Sequence, residues 1–295
     1  MARTLIFGDV HGCADELEEL LLAFAPTSDD RVVSVGDLFR KGPDSPRVGR
    51  TLRKLADDGP EVLHVLGNHE VYLRRVLRDA KAHSLERDLR VFVDSLETED
   101  LDWLIGAPLH RAFPEFNAVV LHAGIMPHWS TLPPADTAVA EEEDPKGMDE
   151  LVRVRSLSTA GVRNRVTKVR KNGQRGRTLL LAPDLPLPSP PSGGTVEVEE
   201  VEVPEGTFLG LREIGADDTN WPTIYDGRFG HVYFGHQPFL DDREAVDFPH
   251  ATALDLGCVY GGVLAAVVLE EGEPAKKLSI AARREYSRWG FPSAK

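Results

Sequence analysis

The sequence predicts an α/β layered fold, and three observations carry that prediction: short, almost continuous apolar runs, helical patterns between the early ones, and a polar, ligand-type side chain at the end of each run. The runs are TLIFGDVHG at 4–12, RVVSVGD at 31–37, EVLHVLGNHE at 61–70, AVVLHAG at 118–124 and HVYFGHQP at 231–238. Runs of four to six apolar residues without alternation read as strands buried on both faces. In layered α/β folds the loops leaving the carboxyl ends of such strands gather ligands, so the polar residues stand where a site belongs.

Taken in order, the first strand is followed by a helical pattern at 14–25, the second by one at 48–58, and the third by one at 69–80. Residues 132–150 (LPPADTAVAEEEDPKGMDE) are acidic and contain Pro, and read as a surface loop. A basic run follows at 163–177 (RNRVTKVRKNGQRGR), then a Pro-rich stretch, then the alternating TVEVEEVEVPEG at 195–206. Val alternating with Glu predicts a half-exposed strand, and NGQRG a hairpin turn. The chain is therefore expected to be a single domain over 1–295 with an insertion at 163–206. ATALDLGC and GGVLAAVVLEEGE read as two closing strands joined by a turn around Tyr260, Gly261 and Gly262.

Composition narrows the function. A chain of 295 residues can bury one large core, and 28% charged with 41% hydrophobic residues excludes global disorder. A net charge of -14 argues against nucleic acid as the main partner, because such binding relies on Lys and Arg neutralising phosphates. No apolar run reaches the roughly 20 residues that cross a bilayer. The N-terminus enters a strand at once, so neither a membrane partner nor a signal peptide is expected. Cys13 and Cys258 are too few for a disulfide framework and lack the paired spacing of a zinc site, which fits a cytoplasmic setting.

Singly, an Asp or His after a strand is most often a turn former or a cap. In series the motifs supply two carboxylates (Asp9, Asp37), an amide (Asn68) and imidazoles (His11, His69, His122, His236). Carboxylate, carbonyl and imidazole together suit borderline divalent metals. His64, His83, His110, His128, His231 and His250 are assigned no metal role.

GDVHG, GDLFRKGPDS, GNHE, LHAG and GHQP, in that order between residues 8 and 238, resemble the signature of the phosphoprotein phosphatase (PPP) family of binuclear metallophosphoesterases. YDGRFGHVYFGHQPF and ALDLGCVYGG are similar to its bacterial members, which include diadenosine tetraphosphatases. The resemblance implies a calcineurin-like β-sandwich flanked by helices, with the basic and Pro-rich segment inserted. It implies two divalent ions, manganese in the first place and iron, zinc, cobalt or nickel as alternatives. Asp9, His11 and Asp37 would hold one, and Asp37, Asn68, His122 and His236 the other. Asp37 would bridge the two, since one carboxylate can serve two cations about 4 Å apart, and a hydroxide between them would attack phosphorus in line. Gly8, Gly36, Gly67 and Gly235, beside these residues, would allow tight turns and close approach.

The resemblance also makes His69 the general acid and Lys41 the counterpart of a phosphate-clamping Arg. Lys keeps the charge of that Arg and loses its bidentate fork. Arg155 or Arg153 stands in the region of a second phosphate-binding Arg, and Arg40 and Tyr260 are further candidate substrate contacts. The family's protein phosphatases carry Asp at the position of Arg40, where it partners the general-acid His. A cation there depresses the pKa of His69 if it lies close. That matters greatly for a seryl alkoxide leaving group and little for a phosphate, whose second pKa is about 6. The expected activity is therefore metal-dependent hydrolysis of dinucleoside polyphosphates, diadenosine tetraphosphate foremost, with a small nucleotide as partner. Serine/threonine phosphoprotein phosphatase is the alternative, and an inactive nucleotide-sensing module is a third reading. The basic run reads either as a solvated hairpin or as a set of cations reaching the outer phosphates. Cleavage position and oligomeric state are left open.

Overall fold

A computed structural model describes residues 2–78, 87–209, 213–215 and 217–289. In chain order the elements are β1 (Arg3–Phe7), α1 (Ala14–Phe24), β2 (Arg31–Ser34), α2 (Ser45–Asp57), β3 (Glu61–His64), α3 (Asn68–Arg78), α4 (Arg87–Asp94), α5 (Thr98–Ile105), β4 (His110–Phe113), β5 (Ala118–Leu121), α6 (Thr137–Glu143) and α7 (Pro145–Leu151). Then come β6 (Ser156–Leu157), β7 (Gly161–Val169), β8 (Arg175–Leu181), β9 (Thr195–Val203), β10 (Phe208–Leu209), β11 (Thr219–Asn220) and the single turn α8 (Trp221–Ile224). The chain closes with β12 (His231–Phe234), β13 (Val246–Phe248), β14 (Ala251–Ala253), β15 (Asp255–Leu256), β16 (Val263–Glu270) and β17 (Lys276–Ala281). They form two compact units: 1–124, 131–153 and 226–295 make the first, and 125–130 with 154–225 the second.

The first unit is a sandwich of two mixed sheets. One runs β15-β16-β1-β2-β3 with β17 beside β16, the other β13-β14-β12-β5-β4. Strands β1, β2 and β3 are mutually parallel, as are β5, β12 and β14. Period-two alternation sorts each strand between two cores. Ile6, Val33 and Val267 meet Val120 and Tyr233 of the other sheet, whereas Leu5, Phe7, Val32 and Leu264 meet Leu17, Leu20, Val48 and Leu52 of α1 and α2. Both faces of these strands are thus covered, which is why their sequences read as unbroken apolar runs.

Helix ends follow from local chemistry. Asp44 caps α2 by accepting the Arg47 N–H at 3.0 Å, with Pro46 in the first turn. The segment expected to be a loop at 132–150 instead holds α6 and α7. Asp136 accepts from the backbone of Ala138 and Val139, and Asp144 from Gly147. The Pro that suggested a loop opens α7, where its missing N–H costs nothing.

The second unit contains two three-stranded antiparallel sheets, β8-β7-β9 and β10-β6-β11. The turn NGQRG does join a hairpin, with Arg170 N–H donating to the Gln174 carbonyl, and 195–203 is a strand as expected, although exposed along most of its length and not on one face alone. The expected insertion at 163–206 lies inside this unit, whose bounds are wider. Of the basic run, Arg163 is buried and pairs with Asp218, Arg165 lies 3.0 Å from Glu199, and Arg175 lies 2.9 Å from Glu197. Among the described residues no helix is long and apolar enough to cross a membrane.

Candidate metal centre

Five strands of the first unit, β1, β2, β3, β5 and β12, end at one place. The loops beyond them bring together Asp9, His11, Asp37, Asn68, His122 and His236, all predicted from the sequence. Asp37 is at the middle. Its Oδ2 lies 3.5 Å from His11 Nε2 and 3.8 Å from His69 Nε2, while its Oδ1 lies 3.6 Å from His122 Nε2. His11, Asp37 and His69 form one group whose ligand atoms lie within 4.8 Å of one another, and Asp37, His122 and His236 form a second. Asp9 Oδ2 is 3.8 Å from His11 Nε2, and the His236 N–H donates to Asp9 Oδ1 at 3.2 Å. Asn68 Oδ1 is 3.2 Å from His122 Nε2.

Backbone anchors fix two of the imidazoles. His11 Nδ1 is 3.2 Å from the Phe39 carbonyl and His122 Nδ1 is 2.9 Å from the Val35 carbonyl, which assigns the proton to Nδ1 and leaves Nε2 as the lone-pair nitrogen facing Asp37. His236 Nε2 lies 3.1 Å from the Arg153 carbonyl, so of this His the nitrogen left for a cation is Nδ1. Glu70, fully buried, accepts the N–H groups of Asp37, Leu38 and Gly67, each at 2.9 Å, and thereby sets the loop that presents Asp37. Sequence reasoning gave Glu70 no role, although it is the last residue of GNHE.

Space and charge both point to cations. A Cβ on Gly235 would sit 2.0 Å from Asp9 Oδ1, and one on Gly67 2.2 Å from Asp37 Oδ1, so the glycines let backbone approach the carboxylates. Burial, then Asp255 and Asp37, push the Asp9 carboxyl well above its ordinary value. Buried like charges of this kind are ordinarily offset by a metal. The donor set, with imidazole lone pairs held toward buried carboxylates, fits divalent ions. The turns that build it are strained: of seven non-glycine residues with positive φ among those described, five are His11, Asp37, Arg40, Lys41 and His236.

The remaining candidates divide. His69 packs edge-on against His11 at 5.1 Å, and its pKa is pushed down to about 4 by burial first, with Lys41 and then Arg40 adding to it against Asp37. Arg40 thus acts on His69 as expected, but as a minor contributor. Lys41 Nζ is 2.9 Å from His11 Nε2 and 5.4 Å from the ring of Tyr260, which brings both residues to the cluster. Arg153 reaches the cluster through its carbonyl, and its guanidinium Nε lies 3.8 Å from Asp149. Arg155 belongs to the second unit. His64 is buried against Trp103 and bonds the Leu104 carbonyl, and His110 and His231 are engaged with Pro133 and Thr252. His83 lies outside the described residues. Cys13 and Cys258, 245 positions apart in the chain, are buried together beside Glu16, a proximity that sequence spacing does not reveal.

A family model for calcineurin-like phosphoesterases matches residues 2–172. The chain belongs to that family. It is a phosphoesterase-type hydrolase, and the family implies divalent metal ions, which the His and Asp groups just described could hold. This phosphoesterase is 31% identical over 296 residues to the symmetrical bis(5'-nucleosyl)-tetraphosphatase of Chromohalobacter salexigens, the match taking in 92% of this chain and 96% of the relative. It is 30% identical over 277 residues to the enzyme of the same name from Coxiella burnetii, covering 92% and 90%. A crystal structure described as that of a candidate diadenosine tetraphosphatase superposes with a TM-score of 0.60 at 25% identity, covering 98% of this chain and 94% of that one. A serine/threonine phosphatase from Saccharomyces cerevisiae, at 14% identity and a TM-score of 0.50, shares the fold.

Proposed function

We propose that this phosphoesterase cleaves dinucleoside tetraphosphates symmetrically, converting diadenosine tetraphosphate and water to two ADP. The observation that carries the reading is the cation beside the cluster: Lys41 Nζ stands 2.9 Å from His11 Nε2, and its flexible stem lets it turn to a phosphate oxygen when an ion takes that nitrogen's lone pair, with Arg40 next to it in the chain. Similarity to two tetraphosphatases over nine-tenths of their length supports it. So does His69, whose Nδ1 is buried with no hydrogen-bond partner among the described residues and no carboxylate at the position that Arg40 fills.

In this reading Asp9, His11 and Asp37 would hold one divalent ion, and Asp37, Asn68, His122 and His236 the other, manganese being the expected metal and the cytoplasm the expected compartment. When bound, such a pair supplies Lewis acidity and a water acidified to near-neutral pKa. The chain contributes the rest. Glu70 holds the Asp37 loop in place, and the Phe39 and Val35 carbonyls keep His11 and His122 in one tautomer. Lys41 neutralises a non-bridging oxygen of the attacked phosphate, and His69 hydrogen-bonds the departing group. Water oxygen bonds to one inner phosphorus as the central bridging oxygen leaves with the other ADP. A phosphate leaving group needs little help from an acid, because its second pKa is about 6.

The deciding experiment offers manganese-loaded enzyme diadenosine tetraphosphate and a phosphoserine peptide side by side and separates the nucleotide products. ADP as the sole nucleotide product, with turnover well above that of the peptide, is the expected result. ATP with AMP overturns symmetrical cleavage, and preference for the peptide overturns the substrate class.

A further inference from the structure

A cleft of about 580 Å³ in the first unit is lined by Arg40, Lys41, Pro43 and Pro46 and by Leu89 and Val91 of α4. Phe39 and Phe92, also on its lining, are buried and stack at 4.7 Å and 5°. Val91 is 62% exposed, one of the large apolar side chains that the fold leaves in solvent. The volume lies within the roughly 300–1,000 Å³ of small-molecule pockets, and the lining, largely apolar with Arg40 and Lys41 among it, is of the kind that binds an amphipathic ligand.

We propose that this cleft is a subsite for one nucleoside of the substrate. The inference rests on the dinucleotide reading above and adds to it a place for the base and ribose. Two features commit the cleft to a nucleoside carrying phosphates. It shares Lys41 with the metal cluster, since that residue lines the cleft and its Nζ lies 2.9 Å from His11 Nε2. Among its described lining residues the charged ones are Arg40 and Lys41, whereas Pro43, Pro46, Leu89 and Val91 carry no charge, a division that suits the phosphates and the base of a nucleotide. The hydroxyls on the lining are engaged with the backbone: Ser45 Oγ accepts the Arg40 N–H at 2.8 Å and Ser95 Oγ donates to the Phe92 carbonyl at 2.6 Å. The walls therefore hold a base by apolar contact, with Val91 as the exposed wall that a bound nucleoside would cover.

The test compares ADP with pyrophosphate, which keeps two phosphates and lacks the nucleoside, as ligands of the metal-loaded full-length enzyme. In Val91→Asn the ratio of the ADP dissociation constant to that of pyrophosphate should rise at least fivefold, and Val91→Leu should return it to within twofold of wild type. Val91 is a surface residue, so both variants are expected to fold, which circular dichroism verifies. An unchanged ratio in Val91→Asn, or equal weakening of both ligands, overturns the subsite. Turnover of diadenosine tetraphosphate by the wild type is scored separately. If it is present and the ratio does not move, the subsite alone falls. If it is absent while the ratio moves as expected, the nucleoside subsite stands and the substrate reading falls.

Discussion

At the strand ends of the first unit, Asp9, Asp37, Glu70 and Asp255 crowd together at 5% exposure or less, while on the second unit's long sheet Arg165 faces Glu199 across β7 and β9 in the open. Both regions are dense in charge. The surface set is neutralised within itself, by residues that water also solvates. The buried set has like charges as neighbours, and burial drives the pKa of two of its imidazoles, His11 and His69, well below the ordinary value. The difference teaches that charge in a sequence carries functional information only when the fold buries it without its own counterions.

The comparison breaks first at its centre. Asp37→Asn removes the one carboxylate among the described residues that belongs to both histidine groups, and turnover should fall by about three orders of magnitude or more, equivalent to about 4 kcal/mol of transition-state stabilisation. A rate within tenfold of wild type in a metal-replete assay would remove Asp37 from the role assigned to it. Next in size is acid. His64 is buried and its pKa is pushed down to about 4 by that burial. The unfolded chain, with His near 6.5, takes up the proton first, so stability is intact above about pH 6.5 and is lost as pH falls toward 4, by about 3 kcal/mol in all. Urea denaturation across this range should show a decline that is about 3 kcal/mol smaller in His64→Gln, the other buried histidines keeping their share; an equal decline in the variant places the titration elsewhere.

Glu70→Gln comes third. Its amide keeps one acceptor oxygen and puts an NH2 donor in place of the other, so at least one of the three backbone N–H groups loses its acceptor, which should cost about 1–3 kcal/mol and weaken metal affinity roughly 10–100-fold, read by thermal melts and by metal titration. Loss of stability with unchanged metal affinity would make Glu70 a scaffold residue alone. The smallest effect belongs to the surface: Arg165→Gln should change stability by about 0.5 kcal/mol or less, because an exposed pair gains little over water. A loss above about 2 kcal/mol in urea would show that this sheet depends on its charges after all.

The parallel strands and their polar ends were legible because burial on both faces leaves an unbroken apolar run, and because a site at strand ends places its residues at fixed offsets from those runs. Asp9, His11, Asp37, Asn68, His122 and His236 all come together as expected. Helices α6 and α7 were not legible from composition, which an acidic, Pro-containing segment shares with loops, although Asp136 and Asp144 in capping positions carried the signal. The bounds of the second unit escaped for another reason. Its strands β6, β10 and β11 are two residues long, too short to impose any period. The Cys13–Cys258 proximity depends on chain closure over 245 positions, which no local pattern encodes.

The left-handed backbone at His11, Asp37, Arg40, Lys41 and His236 has a consequence for how this protein can change. Each such residue bears a cost of about 1 kcal/mol that glycine would not bear. Selection for thermal stability alone would therefore favour glycine at the positions that assemble the cluster. A library sorted by heat resistance should enrich inactive enzymes there, and one sorted by turnover should retain the strained residues and find its stability elsewhere.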